Sequence, residues 1–402
     1  MNILFLTLLN IRSINDRNIY TDLLRKFHAE GHNVFIVCPC ERRSKQSTSL
    51  EQLEGINLLK VRTLNIQKTN LFEKGLSITL LENIFLAQIK KYFFRIMFDL
   101  VIYSTPPINF TKVLGYIKKK NNAKTYLLLK DIFPQNAVDL GLIRKNGLLH
   151  RYFRIREQNL YKISDYIGCM TIGNVKYLIE NNPGINPNIV EVNPNSIEPS
   201  KNYISLNMRC EIRKRLSIPI SATVFIYGGN LGKPQGVEFL IAVLGAYLNN
   251  QSVYFVIVGS GTEFKKIHDW FETFKPNNSK LISYLEKEDF DQMLQACDVG
   301  MVFLDRRFSI PNFPSRLLSY LEFKLPILAA TDIVTDLRQI ITENGFGLWS
   351  EFGDLKGIME NVGKFVADKD FIKVMGENGF GFLLNNYTVT NSCAIILKHF
   401  DL

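Results

Sequence analysis

Apolar runs alternate with amphipathic stretches along the whole chain, and that alternation sets the first expectation. Ile3–Leu9 reads as a buried first strand, and Arg17–Glu30 follows with helical periodicity, closed by Gly31 as a natural helix terminator. Val34–Val37, Asp99–Ser104, Thr125–Leu129, Tyr166–Met170 and Ile189–Val192 read as further strands, with a helix over Asn109–Lys120. Pro106 and Pro107 halt the strand Asp99–Ser104. Strands separated by helices predict a parallel sheet with crossover connections.

The same alternation returns in the second half. Thr223–Tyr227, Val253–Val258, Ile282–Leu285, Val299–Leu304 and Ile327–Ala329 read as strands, with helices over Val237–Leu248 and from Phe264 to Phe271. Between the halves, residues 181–200 turn rich in proline and asparagine, which places a hinge near Asn195–Ser200. The division expected is an N-terminal domain over 1–195, a C-terminal domain over 200–384, and a C-terminal helix in 385–402 that packs back on the first domain. The fold class is α/β, with two Rossmann-like domains in tandem facing across a cleft. In such sheets ligands bind outside the carboxyl ends of the strands.

Composition narrows the classes. Of 402 residues, 46% are hydrophobic and 21% charged, which excludes disorder as the main state. The 48 Lys and Arg against 38 Asp and Glu leave +10, a surplus suited to an anionic partner or to a merely solvated basic surface. Six cysteines form no paired framework, and Cys38-Pro39-Cys40 is not a zinc spacing, so a reducing cytoplasm is expected. The apolar start lacks a basic stretch before it and does not read as a secretory signal. Leu76–Ile102 comes nearest to a membrane span, but Glu82, Lys90, Lys91, Arg95 and Asp99 interrupt it.

Three stretches carry candidate chemistry. The first is IYGGNLGKPQGVEFLIAV, residues 226–243: a strand, a glycine-rich turn, then a helix. Glycines let the backbone approach a ligand closely, and a helix N-terminus attracts an anion, so a phosphate is the natural guest. The alternative is a tight turn with no ligand. The second, FVIVGSGTEFKKI at 255–267, repeats strand, Gly-x-Gly, helix. The third is FSIPNFPSRLLSYLEFKLPILAATD at 308–332, in which Pro314 fits a first helical turn and Ser315 can cap it. Arg316 then stands in that first turn, where the helix dipole disfavours a cation. An anion bound beside it would explain the placement; the alternative is a solvated arginine.

With PSRLLSYL, LPIL and the closing TD, these stretches resemble the family 4 retaining glycosyltransferases of the GT-B fold. The nearer likeness is to transferases of O-antigen and capsule gene clusters, including N-acetylfucosamine-type enzymes. In the first half, EGHNVFIVCP (30–39), LLLKDIFPQNAVDLGLI (127–143) and VEVNPNSIEP (190–199) are similar to segments of that family. The resemblance covers nearly the whole chain. It implies a nucleoside diphosphate-sugar donor, UDP-linked, in the C-terminal domain and an acceptor in the N-terminal one. Carried over position by position, it puts the donor on Gly229, Asn230, Gly232, Lys233, Gln235, Gly259, Gly261, Leu285, Pro314, Ser315, Arg316 and Ser319. Asn230 and Gln235 stand where the family has its diphosphate Arg and Lys. Ser319 and the region of Pro311 stand where it has a glutamate pair, and Lys324 where it has a glycine. Lys233 and Arg316 are the nearest replacement cations. No cofactor or metal is implied.

Asp131, past the strand Thr125–Leu129, is the candidate catalytic group, able to orient or deprotonate an acceptor hydroxyl; the alternative is a cap for a helix begun at Pro134. His150 is either cleft-facing or a surface histidine. Asn15, Arg17 and Asn18 follow the first strand at the acceptor side, where Arg17 either meets phosphate or begins a helix. Two stretches, 90–98 and 144–162, mix cations with large apolar groups, which on helices suit an anionic membrane surface or ordinary domain packing with snorkelling arginines. The expected partners are a nucleotide-sugar, a lipid-linked saccharide and the inner face of the cell membrane. The rival readings are a GT-B nucleotide-sugar epimerase and a basic nucleic-acid-binding protein; no module of the latter kind stands in the sequence.

Overall fold

A computed structural model describes residues 1–66, 69 and 71–400. It divides into two compact units, the first comprising Met1–Glu198 with Val389–Leu402, the second Pro199–Thr388.

The first unit is built on strands β1 (Asn2–Leu6), β2 (Asn33–Glu41), β3 (Ser49–Leu53), β4 (Ile56–Thr63), β5 (Leu100–Ser104), β6 (Lys124–Leu129), β7 (Tyr166–Cys169) and β8 (Val190–Val192). They form one sheet in the order β3-β4-β2-β1-β5-β6-β7-β8. Every pairing is parallel except β3 with β4. Apolar residues fill the central strands on both faces, as expected where helices cover a sheet from either side. One core joins Ile3, Phe5 and Ile36 to Leu24 and Phe27 of the helix Thr21–Ala29 and to Val389, Cys393 and Ile396 of the helix Val389–Leu397.

The second unit has six strands: β9 (Thr223–Gly228), β10 (Val253–Val258), β11 (Ser279–Ile282), β12 (Val299–Phe303), β13 (Ile327–Thr331) and β14 (Gly347–Glu351). Their order, β11-β10-β9-β12-β13-β14, is parallel throughout. Phe225, Tyr227, Val243, Phe255, Phe303 and Phe365 lead its core. The helix Lys369–Asn386 runs unbroken through position 384, and the chain rejoins the first unit at Val389. The last two residues of the C-terminal segment lie outside the described ones.

Several expectations are corrected. The first helix begins at Thr21, not Arg17, because Asn18 accepts from the amides of Tyr20 (3.0 Å) and Thr21 (3.1 Å) and holds the chain in a turn. The strand expected over Val34–Val37 runs on to Glu41, so Cys38 and Cys40 lie buried in the second half of β2. The β3–β4 hairpin and β14 escape the pattern. The strand assigned to Ile282–Leu285 ends at Ile282, and Leu285 lies in the loop before the helix Lys287–Ala296. The stretch 90–98 is helical only to Tyr92; Phe93 and Phe98 then turn inward onto Phe35, with ring centroids 5.4 Å away.

Candidate functional site

The carboxyl edge of the second sheet is organised by the turn after β9. At Gly228 an added Cβ would stand 2.4 Å from the Phe290 ring, and its amide donates to the Tyr320 hydroxyl at 2.9 Å. Gly229 has φ +123, a conformation open to glycine. Its amide donates to the Val258 carbonyl at 2.9 Å, and the Leu231 amide to that of Ser260 at 2.9 Å. At Gly259 an added Cβ would stand 1.8 Å from the Gly229 carbonyl oxygen, and at Gly261 one would stand 2.4 Å from that of Leu231. The two glycine turns therefore interlock. Gly259 and Gly261, having no side chains, leave room for the backbone of the first turn.

Asn230 and Gln235 hold each other. Asn230 Nδ2 donates to Gln235 Oε1 at 3.0 Å, and the Gly232 amide donates to the same oxygen at 3.2 Å. A single 3-10 turn, Lys233–Gln235, comes next, and then Gly236 at φ +56, so the helix begins at Val237 as expected and ends at Ala246, two residues before the expected Leu248. Lys233 projects exposed from this loop.

Arg316 opens the short helix Arg316–Glu322. Its guanidinium carbon lies 4.5 Å from the centroid of the Tyr227 ring, and 3.5 Å from where a Cβ on Gly229 would stand. Nη1 is buried with no hydrogen-bond partner, and among the described residues no carboxylate lies within ion-pair distance of this side chain. A desolvated charge without a counter-ion is costly, so a bound anion would stabilise this arrangement. The solvated-arginine alternative does not fit it. Ser315 gives no side-chain cap; instead the Leu317 amide donates to the Pro314 carbonyl at 3.2 Å. Ser319 stands one turn on and Leu285 in its loop, both half-buried. The sequence missed Tyr227, whose hydroxyl donates to the Asn230 carbonyl at 2.7 Å and whose ring carries Arg316. A tyrosine ending a buried strand has no distinguishing spacing.

The carboxyl edge of the first sheet holds titratable side chains. Asp131 follows β6, and its carboxylate accepts from Asn136 Nδ2 at 2.7 Å. Burial pushes it up to about 6, against the hydrogen bonds from Asn136 and the Ile132 amide. It does not cap the helix Gln135–Asp139, whose N-cap position is Pro134. Thr105 Oγ1 donates to the Asp131 carbonyl at 2.9 Å and accepts from the Lys130 amide at 3.1 Å, which pins the loop to the end of β5. Lys130 Nζ donates to the Asn193 carbonyl at 3.3 Å, and burial brings the amine down to about 7. Asn136 Oδ1 and Asn195 Oδ1 are buried without partners. Lys130, Asn136 and Asn195 were missed, since lone polar residues past a strand look alike in sequence.

Other expected residues fall elsewhere. His150 is buried, its Nδ1 accepting from the Asn146 amide at 3.3 Å, so it is not a surface histidine. Arg17 donates to the Glu198 carbonyl at 3.0 Å, and Asn15 Nδ2 to Glu54 Oε1 at 2.5 Å.

Comparison with known proteins places this geometry. Residues 208–381, most of the second unit, match the family described as Glycosyl transferases group 1. A probable glycosyltransferase of Pseudomonas aeruginosa, WbjE, is 23% identical over 256 residues, which are 62% of this chain and 61% of that protein. Sucrose-phosphate synthase from Thermosynechococcus elongatus superposes with a TM-score of 0.78 at 14% identity, over 99% of this chain and 98% of that one. HepE of Anabaena, in complex with UDP and glucose, gives 0.73 at 14% identity over 99% of both chains. The chain has the GT-B fold. Among its described residues no helix is long and apolar enough to cross a membrane.

Proposed function

We propose that this chain is a glycosyltransferase that moves a sugar from a UDP-linked donor to a hydroxyl of a lipid-linked saccharide, with retention, in the making of a bacterial surface polysaccharide. One observation carries the reading. Arg316 is a guanidinium without a counter-anion, laid against the glycine turn that ends β9. A diphosphate supplies the missing charge, and a cation already in place stabilises the leaving group without rearrangement. The UDP held by HepE and the group 1 match over residues 208–381 support a nucleotide-sugar in the second unit. The acceptor class and retention rest on the resemblance of the motifs to O-antigen and capsule transferases.

In the reaction, the bond between the anomeric carbon and the diphosphate oxygen breaks, and both electrons leave with the diphosphate. Arg316 and Lys233 bind that charge. The acceptor oxygen forms the new bond on the face from which the diphosphate leaves, which retains the anomeric configuration, and its proton passes to the Asp131 carboxylate. Asn136 orients that carboxylate through the 2.7 Å bond.

The test combines the protein with labelled UDP-sugars, with and without a lipid-linked saccharide. The reading requires UDP release and label transfer that depend on the acceptor. An isomerised donor formed without acceptor would instead establish the epimerase reading.

A further inference from the structure

The helix Leu148–Ile163 and the loop before it have an unusual surface. Residues 140–156, LGLIRKNGLLHRYFRIR, contain five cations and no acid. Leu142 is 62% exposed, Leu148 88% and Ile155 58%, with Leu149 and Tyr152 also exposed. Leu148, Tyr152 and Ile155 recur at helical spacing and share one face. Arg151 flanks that stripe on one side and Arg156 on the other, by the same 3.6-residue period. The opposite face, with His150, Glu157, Leu160 and Tyr161, is buried in the unit. Single exposed apolar residues are ordinary, but a contiguous cluster rimmed by cations marks an interaction surface.

Position in the fold discriminates between the two basic-aromatic stretches. The loop at 93–99 runs into the start of β5, so it lies at the amino edge of the first sheet. Residues 142–155 come after the carboxyl end of β6, and the helix then runs back toward the start of β7. Its exposed stripe, confined to the first two turns, therefore lies toward the carboxyl edge, the edge that carries Asp131. Arg154 does not belong to the surface: it pairs with Glu157 and donates to Asn182 Oδ1 at 2.9 Å.

We propose that Leu142, Leu148, Tyr152 and Ile155 enter the interfacial layer of an anionic lipid bilayer, with Arg144, Lys145 and Arg151 on its headgroups. The charge complement decides the occupant, since a run of cations with no acid fits a surface of uniform negative charge. Amphipathic helices bind membranes through such a combination of buried apolar area and cationic attraction. The surface belongs to the first unit and uses none of the residues assigned to the donor, so this inference does not depend on the transferase reading.

The experiment is flotation of the full chain with vesicles of phosphatidylcholine alone and with a third of phosphatidylglycerol. The parent should float with the anionic vesicles and release as salt rises, because screening shortens the reach of the charges. Leu148→Ser with Ile155→Ser should lower the bound fraction about tenfold, and Arg144→Glu with Arg151→Glu by a similar factor at low salt. Phe94→Ser with Arg95→Glu, at the amino edge, should leave binding unchanged. All these side chains are exposed, and unchanged thermal unfolding checks that the variants fold. Equal flotation of parent and the Leu148/Ile155 variant overturns the proposal, as does absence of binding to anionic vesicles. So does a dimer in sedimentation velocity that the same variant dissolves, since a second copy would then be the occupant.

Discussion

The carboxyl edges of the two sheets solve different problems with different materials. In the second unit the edge is backbone: interlocked glycine turns, an amide pair at Asn230 and Gln235, and one cation, Arg316, with a buried and unpartnered Nη1. In the first unit the edge is side chain: a carboxyl raised to about 6, an amine lowered to about 7, and two orphaned amide oxygens. Fixed charge and glycine suit a group that must always bind an anion. Groups poised near neutrality suit the gain and loss of a proton. The difference teaches that an edge suited to holding an anion and an edge suited to handling a proton need share no residue pattern.

The largest effect tests the proton-handling edge. Asp131→Asn should cut transfer a hundredfold or more, the usual contribution of a positioned base, while UDP binding stays at the parental affinity. In the parent, transfer should be lost as pH falls below about 6, where the carboxyl becomes protonated. A variant that transfers at the parental rate would reduce Asp131 to a structural residue.

Next comes the backbone edge. Gly259→Ala would set a methyl 1.8 Å from the Gly229 carbonyl oxygen at φ +156, and should cost about 3 kcal/mol of stability. Gly245→Ala, in the helix Val237–Ala246 with nothing within 4 Å, should stabilise by up to about 1 kcal/mol. Thermal unfolding of the two variants separates them; equal melting would show that the turns do not interlock.

The smallest effect concerns Lys130. Its folded value, about 7, lies below the ordinary 10.5, so between those values the unfolded chain binds the extra proton. Burying it costs stability in full below about pH 7, and the cost fades as pH rises toward 10.5. Lys130→Met should stabilise at neutral pH and flatten that part of the pH–stability curve. An unchanged slope in chemical denaturation would show that solvent reaches the amine.

Much of this architecture is legible in the sequence, because buried parallel strands are continuous apolar runs and Val224–Tyr227 or Val253–Val258 can be read directly. β3 is not, since SLEQL sits half-solvated at an edge and lacks such a run. Likewise Gly228 and Gly229 announce a turn by their spacing, whereas Lys130 and Asn195 acquire significance from burial, which depends on strands distant in sequence. Arg316 stood out for its unfavourable place in a helix, yet its Tyr227 platform comes from a strand 89 residues earlier.

The central claim is that Arg316 holds a nucleotide's diphosphate, and thermal shift tests it most directly. UDP should raise the melting temperature of the parent well above any rise given by uridine, in proportion to concentration over affinity. Arg316→Ala should weaken UDP binding by about 2 kcal/mol, some thirtyfold, and leave the uridine response as it was. Equal UDP stabilisation of parent and variant would contradict the account.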